Sequence, residues 1–167
     1  MRFPVATAGR GGVPTQRMGR LRSIPLSTSQ EPTFGEHSAM KHLTPKETAE
    51  FLHANTDAVF IDCRSEWEFL FVGHPKHALL IPWYEGENWD INPRFLGEVR
   101  IAASHQRPVV LICRSGNRSR EAGEFLEQHG FSDVYNVLYG FEGELDDDHH
   151  RSTRNGWRHD GLPWEQC

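Results

Sequence analysis

The sequence has little of what secreted, membrane or nucleic-acid-binding proteins need. Only three of its 167 residues are cysteines. Three cysteines cannot all form disulfides with one another, so a protein of a reducing compartment is the best interpretation. No apolar run is long enough to span a bilayer. The formal net charge is -5, and no basic stripe occurs in the region with a regular pattern of strands and loops. Both observations argue against a general nucleic-acid binder. We therefore expect a cytoplasmic protein without membrane or nucleic-acid partners.

Acidic residues are also missing from the start of the chain, where the first one is Glu31 and arginine recurs among glycine, proline, serine and threonine. Residues 1–40 are interpreted as a disordered basic leader or a mis-assigned start, with an organelle transit peptide as the alternative. We expect a globular domain over residues 41–145 and a tail over 146–167. The tail contains Trp157 and Trp164, and such large aromatic side chains predict that it packs on the domain.

Predicted strands and helices alternate through the globular region. Apolar runs predict strands at 58–61, 78–81, 108–112 and 134–138, and helical spacing with capping residues predicts helices at 45–53, 65–71, 92–103 and 119–129. Alternation of this kind indicates an α/β fold with an open, mostly parallel sheet.

The most informative segment follows the apolar run 108–112. Cys113 stands at the end of that predicted strand, and the next residues, before a predicted helix, are Arg114, Ser115, Gly116, Asn117, Arg118 and Ser119. A tight glycine-containing turn at a helix N-terminus directs backbone N–H groups toward an anion. Together with two arginines, these groups should lower the pKa of the thiol and make Cys113 a nucleophile.

This loop resembles the active-site loop of the rhodanese family of sulfurtransferases, in which a cysteine takes up sulfur as a persulfide. Residues 62–68 resemble the family's Asp-x-Arg stretch with its following Glu. Gly73-His74, with Ala78 and Ile81-Pro82, resembles its Gly-His-x-Pro-Gly-Ala segment. The similarity covers residues 43–141, with departures at 75–77 and 140–143. It implies helices on both faces of the sheet, Cys113 as the catalytic residue, and residues 114–119 as the loop that binds substrate and persulfide.

Loop length distinguishes the chemistries that this resemblance permits. Four residues separate Cys113 from Arg118, whereas the cysteine phosphatases and arsenate reductases of this fold use one more, which widens the loop for a tetrahedral oxyanion. The shorter loop favours transfer of sulfane sulfur from thiosulfate or a persulfide to a thiophilic acceptor. Alternatives are a persulfide relay module for a protein partner, an inactive regulatory domain, and the disfavoured phosphatase or arsenate reductase.

The roles of the neighbouring side chains are also predicted. We expect Arg118 to brace the loop and Arg114 to meet the incoming anion. Asp62 and Arg64 should form an ion pair that supports the loop from behind. Cys63 could resolve a persulfide or disulfide on Cys113, but a small residue in a turn is the preferred interpretation.

Expected partners are a small anionic sulfur donor and a thiol or protein acceptor, with a monomer favoured. No cofactor and no metal are expected. The acidic and histidine-containing run 146–150 suggests a metal site, but without a second ligand cluster a solvated loop is the better interpretation. His74 is interpreted as structural.

Overall fold

The structure is a computed structural model that describes residues 39–167. The leader predicted for residues 1–40 lies almost entirely outside the described residues. The elements, in chain order, are β1 (Lys41–Leu43), α1 (Pro45–Ala54), β2 (Val59–Asp62), a π-helical segment (Glu68–Val72), β3 (His74–Pro75), β4 (Leu79–Leu80), β5 (Tyr84–Glu85), β6 (Asp90–Ile91), α2 (Phe95–Ala102), β7 (Val109–Ile112), α3 (Asn117–Gln128), β8 (Val134–Val137) and β9 (Trp164–Glu165).

Within residues 39–167, five parallel strands form the central sheet in the order β1-β8-β7-β2-β4. The central strands β2, β7 and β8 are buried along their whole length, as expected for parallel strands that helices cover on both faces. Their β-branched and aromatic residues therefore pack into both layers of the core. In the register, Asp62 of β2 lies beside Ile112 of β7, so the residues that follow these two strands are also neighbours.

Two hydrophobic clusters lie on opposite faces of this sheet. One contains Phe95 and Val99 of α2 with Ala122 and Leu126 of α3, and the other contains α1 side chains with Phe141 and Trp157. The predicted α/β fold with helices on both faces is confirmed. None of the helices between residues 39 and 167 is long and apolar enough to cross a membrane.

The capping box predicted at Thr44 is present. Thr44 accepts a hydrogen bond from the Glu47 backbone N–H, and the Glu47 carboxylate accepts one from the Thr44 N–H at 2.8 Å. Pro45 occupies the first turn, where a missing N–H costs nothing. Asn92 accepts from the Arg94 N–H at 2.9 Å, which closes a turn ahead of α2 but is not a cap of the helix itself. The helices predicted at these two sites are confirmed.

Several elements differ from the prediction. The helix predicted at 65–71 contains the π-helical segment Glu68–Val72, and the helix predicted at 92–103 begins at Phe95. The strand expected at 78–81 is only Leu79–Leu80, at the edge of the sheet. The helix after the cysteine loop begins at Asn117 instead of Ser119, because Gly116 turns the chain with φ of +94°. Strand β1 was not predicted, because it has only three residues, of which the first two are polar, and so carries no periodic signal.

The tail packs on the same body. The Trp157 side chain is 4% exposed and its indole N–H donates to the Pro163 carbonyl oxygen at 2.9 Å. Strand β9 pairs antiparallel with β3, with Trp164 opposite Pro75. These contacts bring the end of the chain to the segment that follows β2.

Candidate active site

Cys113 stands directly after β7, at the carboxyl edge of the parallel sheet, where α/β folds place their ligands. Its side chain is buried, with 1% exposure. Gly116 takes the left-handed conformation that lets the loop close within three residues and start α3 at Asn117. The strand end and the helix start therefore face each other across the sulfur atom.

Hydrogen-bond donors converge on the Cys113 sulfur. The Gly116 backbone N–H donates to Sγ at 3.1 Å, and the Ser119 Oγ lies 3.3 Å from it. Burial alone would raise the pKa of Cys113, but hydrogen bonds from Cys63 and from Ser119, together with the charge of Arg118, lower it to about 5. Cys113 is therefore a thiolate at neutral pH, the form that acts as a nucleophile.

Arg118 is held by a half-buried ion pair with Glu68. Its guanidinium donates to both carboxylate oxygens, at 2.8 and 2.6 Å, and the two side chains are 14% and 16% exposed. Burial would raise the pKa of Glu68, but Arg118 and the bonds from Ser65 lower it to about 2. The predicted capping box at Ser65 thus positions Glu68 as the partner that fixes Arg118.

Arg114 differs from Arg118 in its surroundings. It is exposed, and its side chain makes no hydrogen bond or ion pair with the residues described, 39–167. Asn117 is also exposed, and Ser115 is half-buried. Arg118 is therefore anchored by an ion pair, whereas Arg114 is exposed to solvent. This arrangement agrees with the expected division into brace and anion contact, which itself stays a prediction.

The segment 140–142 supports the loop from behind. The Phe141 N–H donates to the Cys113 carbonyl oxygen at 2.8 Å, and the Glu142 N–H to that of Arg114 at 2.9 Å. Gly140 has φ of +59°, and a Cβ there would overlap the Cys113 carbonyl oxygen. This position must be glycine for the loop to seat as it does.

Asp62 and Arg64 form the expected ion pair, and both are fully buried. Arg64 donates to the two carboxylate oxygens of Asp62 through Nε and Nη2, the latter at 2.7 Å, and to the Gly73 carbonyl oxygen at 2.6 Å. The guanidinium also lies 4.4 Å from the centre of the Phe141 ring. The pair thus ties the end of β2 to Gly73, which precedes β3, and to Phe141, whose segment supports the cysteine loop. An effect on catalysis stays a prediction.

Cys63 is the sheet neighbour of Cys113. Its N–H donates to the Ile112 carbonyl oxygen at 2.9 Å, and its thiol, 1% exposed, contacts the same oxygen at 3.2 Å. Burial and the neighbouring Cys113 raise the pKa of Cys63 well above its usual value. A buried neutral thiol is a poor nucleophile, which favours the expected packing role over that of a resolving cysteine. Cys167 is exposed.

Two further residues of interest have structural partners. The His74 ring stacks on Phe69 with centroids 3.6 Å apart and contacts the Phe69 carbonyl oxygen through Nδ1. The Asp146 carboxylate accepts backbone N–H groups of Asp148 and His150 and the Thr153 hydroxyl, so it closes a turn. No group of three or more metal-ligating side chains occurs in the part of the chain that the structure describes.

An aromatic cleft adjoins the cysteine loop. It has a volume of about 810 Å³ and is lined by Trp67, Tyr84 and Trp89 among other residues. The Trp89 ring lies 5.6 Å from the Arg118 guanidinium carbon, which links the cleft to the loop. Trp67 is 71% exposed and Trp89 56% exposed, so these rings are available to a ligand or partner.

Sequence reasoning missed two contacts of the site. Glu68 was recognised as a capping residue and as part of the Asp-x-Arg stretch, but not as the partner of Arg118. Asn136, at the middle of β8, lies 2.6 Å from the Ser119 Oγ. A polar residue inside an otherwise apolar predicted strand was the only signal for it.

The chain was compared with known proteins. The sequence model of the rhodanese-like domain family matches residues 44–145. The thiosulfate sulfurtransferase GlpE of Actinobacillus pleuropneumoniae is 30% identical over 123 residues, which covers 74% of this chain and 91% of that protein. An uncharacterized protein of Rickettsia conorii is 26% identical over 132 residues, with 76% and 98% covered.

Solved structures agree. The crystal structure of Rv0390 from M. tuberculosis is 40% identical, has a TM-score of 0.69, and covers 76% of this chain and 98% of its own. The polysulfide-sulfur transferase homodimer of Wolinella succinogenes, 24% identical with a TM-score of 0.55 over 77% of this chain and 80% of its own, shares the fold. With the geometry of the cysteine loop, these matches show that the chain belongs to the rhodanese-like domain family.

Proposed function

We propose that the protein is a sulfurtransferase that carries sulfane sulfur as a persulfide on Cys113. The observation that carries this proposal is the geometry of the loop, in which the Gly116 N–H and the Ser119 hydroxyl are directed at the buried Cys113 sulfur. Hydrogen bonds of this kind help to lower the pKa of Cys113 to about 5. The similarity to a thiosulfate sulfurtransferase that is 30% identical supports the proposal.

The first half-reaction loads the enzyme. The Cys113 thiolate attacks the outer sulfur of thiosulfate, the S–S bond of thiosulfate breaks, and sulfite leaves with the electron pair. The product is a Cys113 persulfide anion. The exposed Arg114 attracts the anionic donor, and the loop donors stabilise the charge that remains on the outer sulfur.

The second half-reaction unloads it. A thiophilic acceptor, such as a thiolate or cyanide, attacks the outer sulfur, and the new bond forms as the Cys113 S–S bond breaks. The thiolate is regenerated, so each cycle moves one sulfur atom and needs no external oxidant or reductant. This is covalent catalysis in two steps.

The test is steady-state transfer from thiosulfate to cyanide, measured as thiocyanate. Cys113→Ser should abolish transfer, because the hydroxyl keeps the size but is not ionised. Cys63→Ser is the matched control, since it replaces the neighbouring buried thiol. It should keep transfer within about tenfold, because the serine hydroxyl is still a hydrogen-bond donor beside the Cys113 sulfur. Undiminished transfer by Cys113→Ser would refute the proposal.

A persulfide relay to a protein partner is a second candidate. It is favoured by two exposed aromatic side chains close in sequence to Glu68, the partner of Arg118. Trp67 and Phe71 stack with centroids 5.5 Å apart and are 71% and 63% exposed. Contiguous exposed apolar surface marks interaction sites. A relay would load one sulfur from thiosulfate yet turn over cyanide slowly, whereas an enzyme for small acceptors would do both.

A further inference from the structure

The aromatic cleft next to the cysteine loop takes no part in the loading of Cys113. Its volume of about 810 Å³ lies within the range of small-molecule sites, and the rings of Trp67, Tyr84 and Trp89 line it. The Tyr84 hydroxyl donates to the Glu121 carboxylate of α3 at 2.6 Å, which fixes this ring. Trp67 and Trp89 are exposed, so their rings are open to a ligand.

The cleft carries an excess of negative charge. Within residues 39–167, the charged side chains that line it are one arginine and four glutamates, namely Arg94, Glu66, Glu85, Glu87 and Glu98. Arg94 pairs with Glu85 at 2.8 Å and with Glu98 at 3.4 Å. Glu66 and Glu87 are exposed and form no ion pair in this part of the chain. A ligand that enters the cleft therefore meets carboxylates that no cation of the protein balances.

Arg118 connects the cleft to the cysteine loop. Its guanidinium carbon lies 5.6 Å from the centre of the Trp89 ring, so one ring of the cleft already contacts a cation. Arg118 is also the residue that ends the four-residue span after Cys113. Because Glu68 pairs with Arg118, this arginine does not cancel the negative charge of the cleft.

We propose that the cleft binds the sulfur acceptor, and that this acceptor is a thiol that carries a positively charged organic group. Ring faces and carboxylates are both negative, so together they attract organic cations. The inference rests on the proposed function, which supplies the Cys113 persulfide. Arg114 attracts the anionic donor and the cleft attracts the cationic acceptor, so opposite charges recognise the two substrates.

The transfer step needs no further reactant. The acceptor thiol gives its proton to the solvent, and its thiolate attacks the outer sulfur of the Cys113 persulfide. The new S–S bond forms as the old one breaks, and the Cys113 thiolate leaves with the electron pair. The product is the persulfide of the cationic thiol, held next to the negative charge of the cleft.

Trp89 is the ring to remove in a test. It lies in the loop between β5 and β6 with φ of +56°, a conformation that bulky side chains rarely adopt. Asparagine enters this conformation more readily. Trp89→Asn therefore removes the ring without adding strain to the loop.

The first measurement is binding in the absence of sulfur. Choline is titrated into the protein, and the tryptophan indole N–H signals are followed by NMR. The control ligand is the neutral alcohol in which carbon replaces the choline nitrogen. Choline should shift the signals of Trp67 and Trp89 but not that of Trp157, which is buried in the cluster on the other face of the sheet. The neutral alcohol should bind about three- to tenfold more weakly.

Two variants should weaken choline binding by a similar factor, about three- to tenfold. One is Trp89→Asn, and the other combines Glu66→Gln with Glu87→Gln. The matched control combines Glu50→Gln with Asp57→Asn, which removes two negative charges from exposed side chains that do not line the cleft. It should bind choline as the wild type does.

The second measurement is transfer to two thiols of similar size. The protein is loaded with thiosulfate and freed of excess donor, and intact mass then follows the loss of the persulfide to cysteamine, which is cationic, or to mercaptoethanol, which is neutral. The ratio of the two rates should fall about three- to tenfold in both cleft variants and stay unchanged in the control. A comparison of ratios cancels the intrinsic reactivity of each thiol.

Equal binding of choline and its neutral counterpart, or choline binding that Trp89→Asn does not weaken, would overturn the inference. So would a ratio of rates that stays unchanged in both cleft variants. The proposed function fails in a different way, because choline binding needs no sulfur transfer. A protein that binds choline as expected but takes up no sulfur would refute the sulfurtransferase and keep the cation site. One that loads sulfur but does not bind choline would do the opposite.

Discussion

The ion pair between Glu68 and Arg118 should stabilise the fold as well as the loop. The pKa of Glu68 falls from its ordinary 4.5 to about 2, chiefly because the Arg118 pair outweighs the cost of burial. At about 1.4 kcal/mol per pKa unit, this lowering corresponds to roughly 3 kcal/mol in the free energy of unfolding. Both side chains are less than one fifth exposed, at 14% and 16%, so solvent screens the pair only weakly. Glu68→Gln should lose about that amount at pH 7.

The sign of the pH dependence follows from the direction of the shift. Because the folded-state pKa lies below the unfolded one, the stabilisation is fully present above about pH 5 and is lost as the pH falls toward 2. Urea unfolding of the wild type and Glu68→Gln should therefore differ by roughly 3 kcal/mol at pH 7 and by clearly less at pH 3.

Glu124→Gln is the control, since Glu124 pairs with Arg120 at 3.3 Å but both side chains are 49% exposed. Exposed pairs of this kind contribute roughly 0.3 to 0.5 kcal/mol. Equal losses in the two variants, or a loss in Glu68→Gln that does not diminish between pH 7 and pH 3, would refute this reasoning.

Three other variants test the loop. In urea unfolding, Gly140→Ala should destabilise the fold by about 1 to 3 kcal/mol more than Gly86→Ala. A Cβ at residue 140 would overlap the Cys113 carbonyl oxygen, whereas nothing lies within 4 Å of a Cβ at residue 86. Equal losses of stability in the two variants would contradict the overlap. Arg114→Ala should slow sulfur loading from thiosulfate more than from a neutral persulfide donor, and the difference should shrink as salt rises; equal losses with both donors at every salt concentration would contradict its role. The unmodified protein should show no Cys113-dependent hydrolysis of an aryl phosphate, because four residues between Cys113 and Arg118 make the loop too tight; efficient hydrolysis would favour a phosphatase.

The sequence predicted the fold well where the signals are local. The buried strands come from uninterrupted apolar runs such as 109–112, and the start of α1 comes from the capping box at Thr44, whose bonds are present. These patterns depend on neighbours within four residues. Strand β1 depends instead on pairing with β8, nearly a hundred residues away, and its three residues gave no periodic signal.

In the candidate site, too, local features could be predicted from the sequence and contacts between distant elements could not. The loop around Cys113 and the pair of Asp62 and Arg64 are contiguous in sequence, so their types and spacing could be interpreted directly. The Glu68 contact with Arg118 and the Asn136 contact with Ser119 join different elements. Such contacts depend on which side chains the sheet order brings together, and a single sequence does not specify that order.

The central claim is that Cys113 carries a persulfide, and intact-mass spectrometry tests it most directly. After incubation with thiosulfate, the wild type should gain the mass of one sulfur atom, and peptide mapping should locate that atom on Cys113. Cyanide should remove it, Cys63→Ser should gain it, and Cys113→Ser should not. No mass gain in the wild type, or a cyanide-labile gain that persists in Cys113→Ser, would contradict the account.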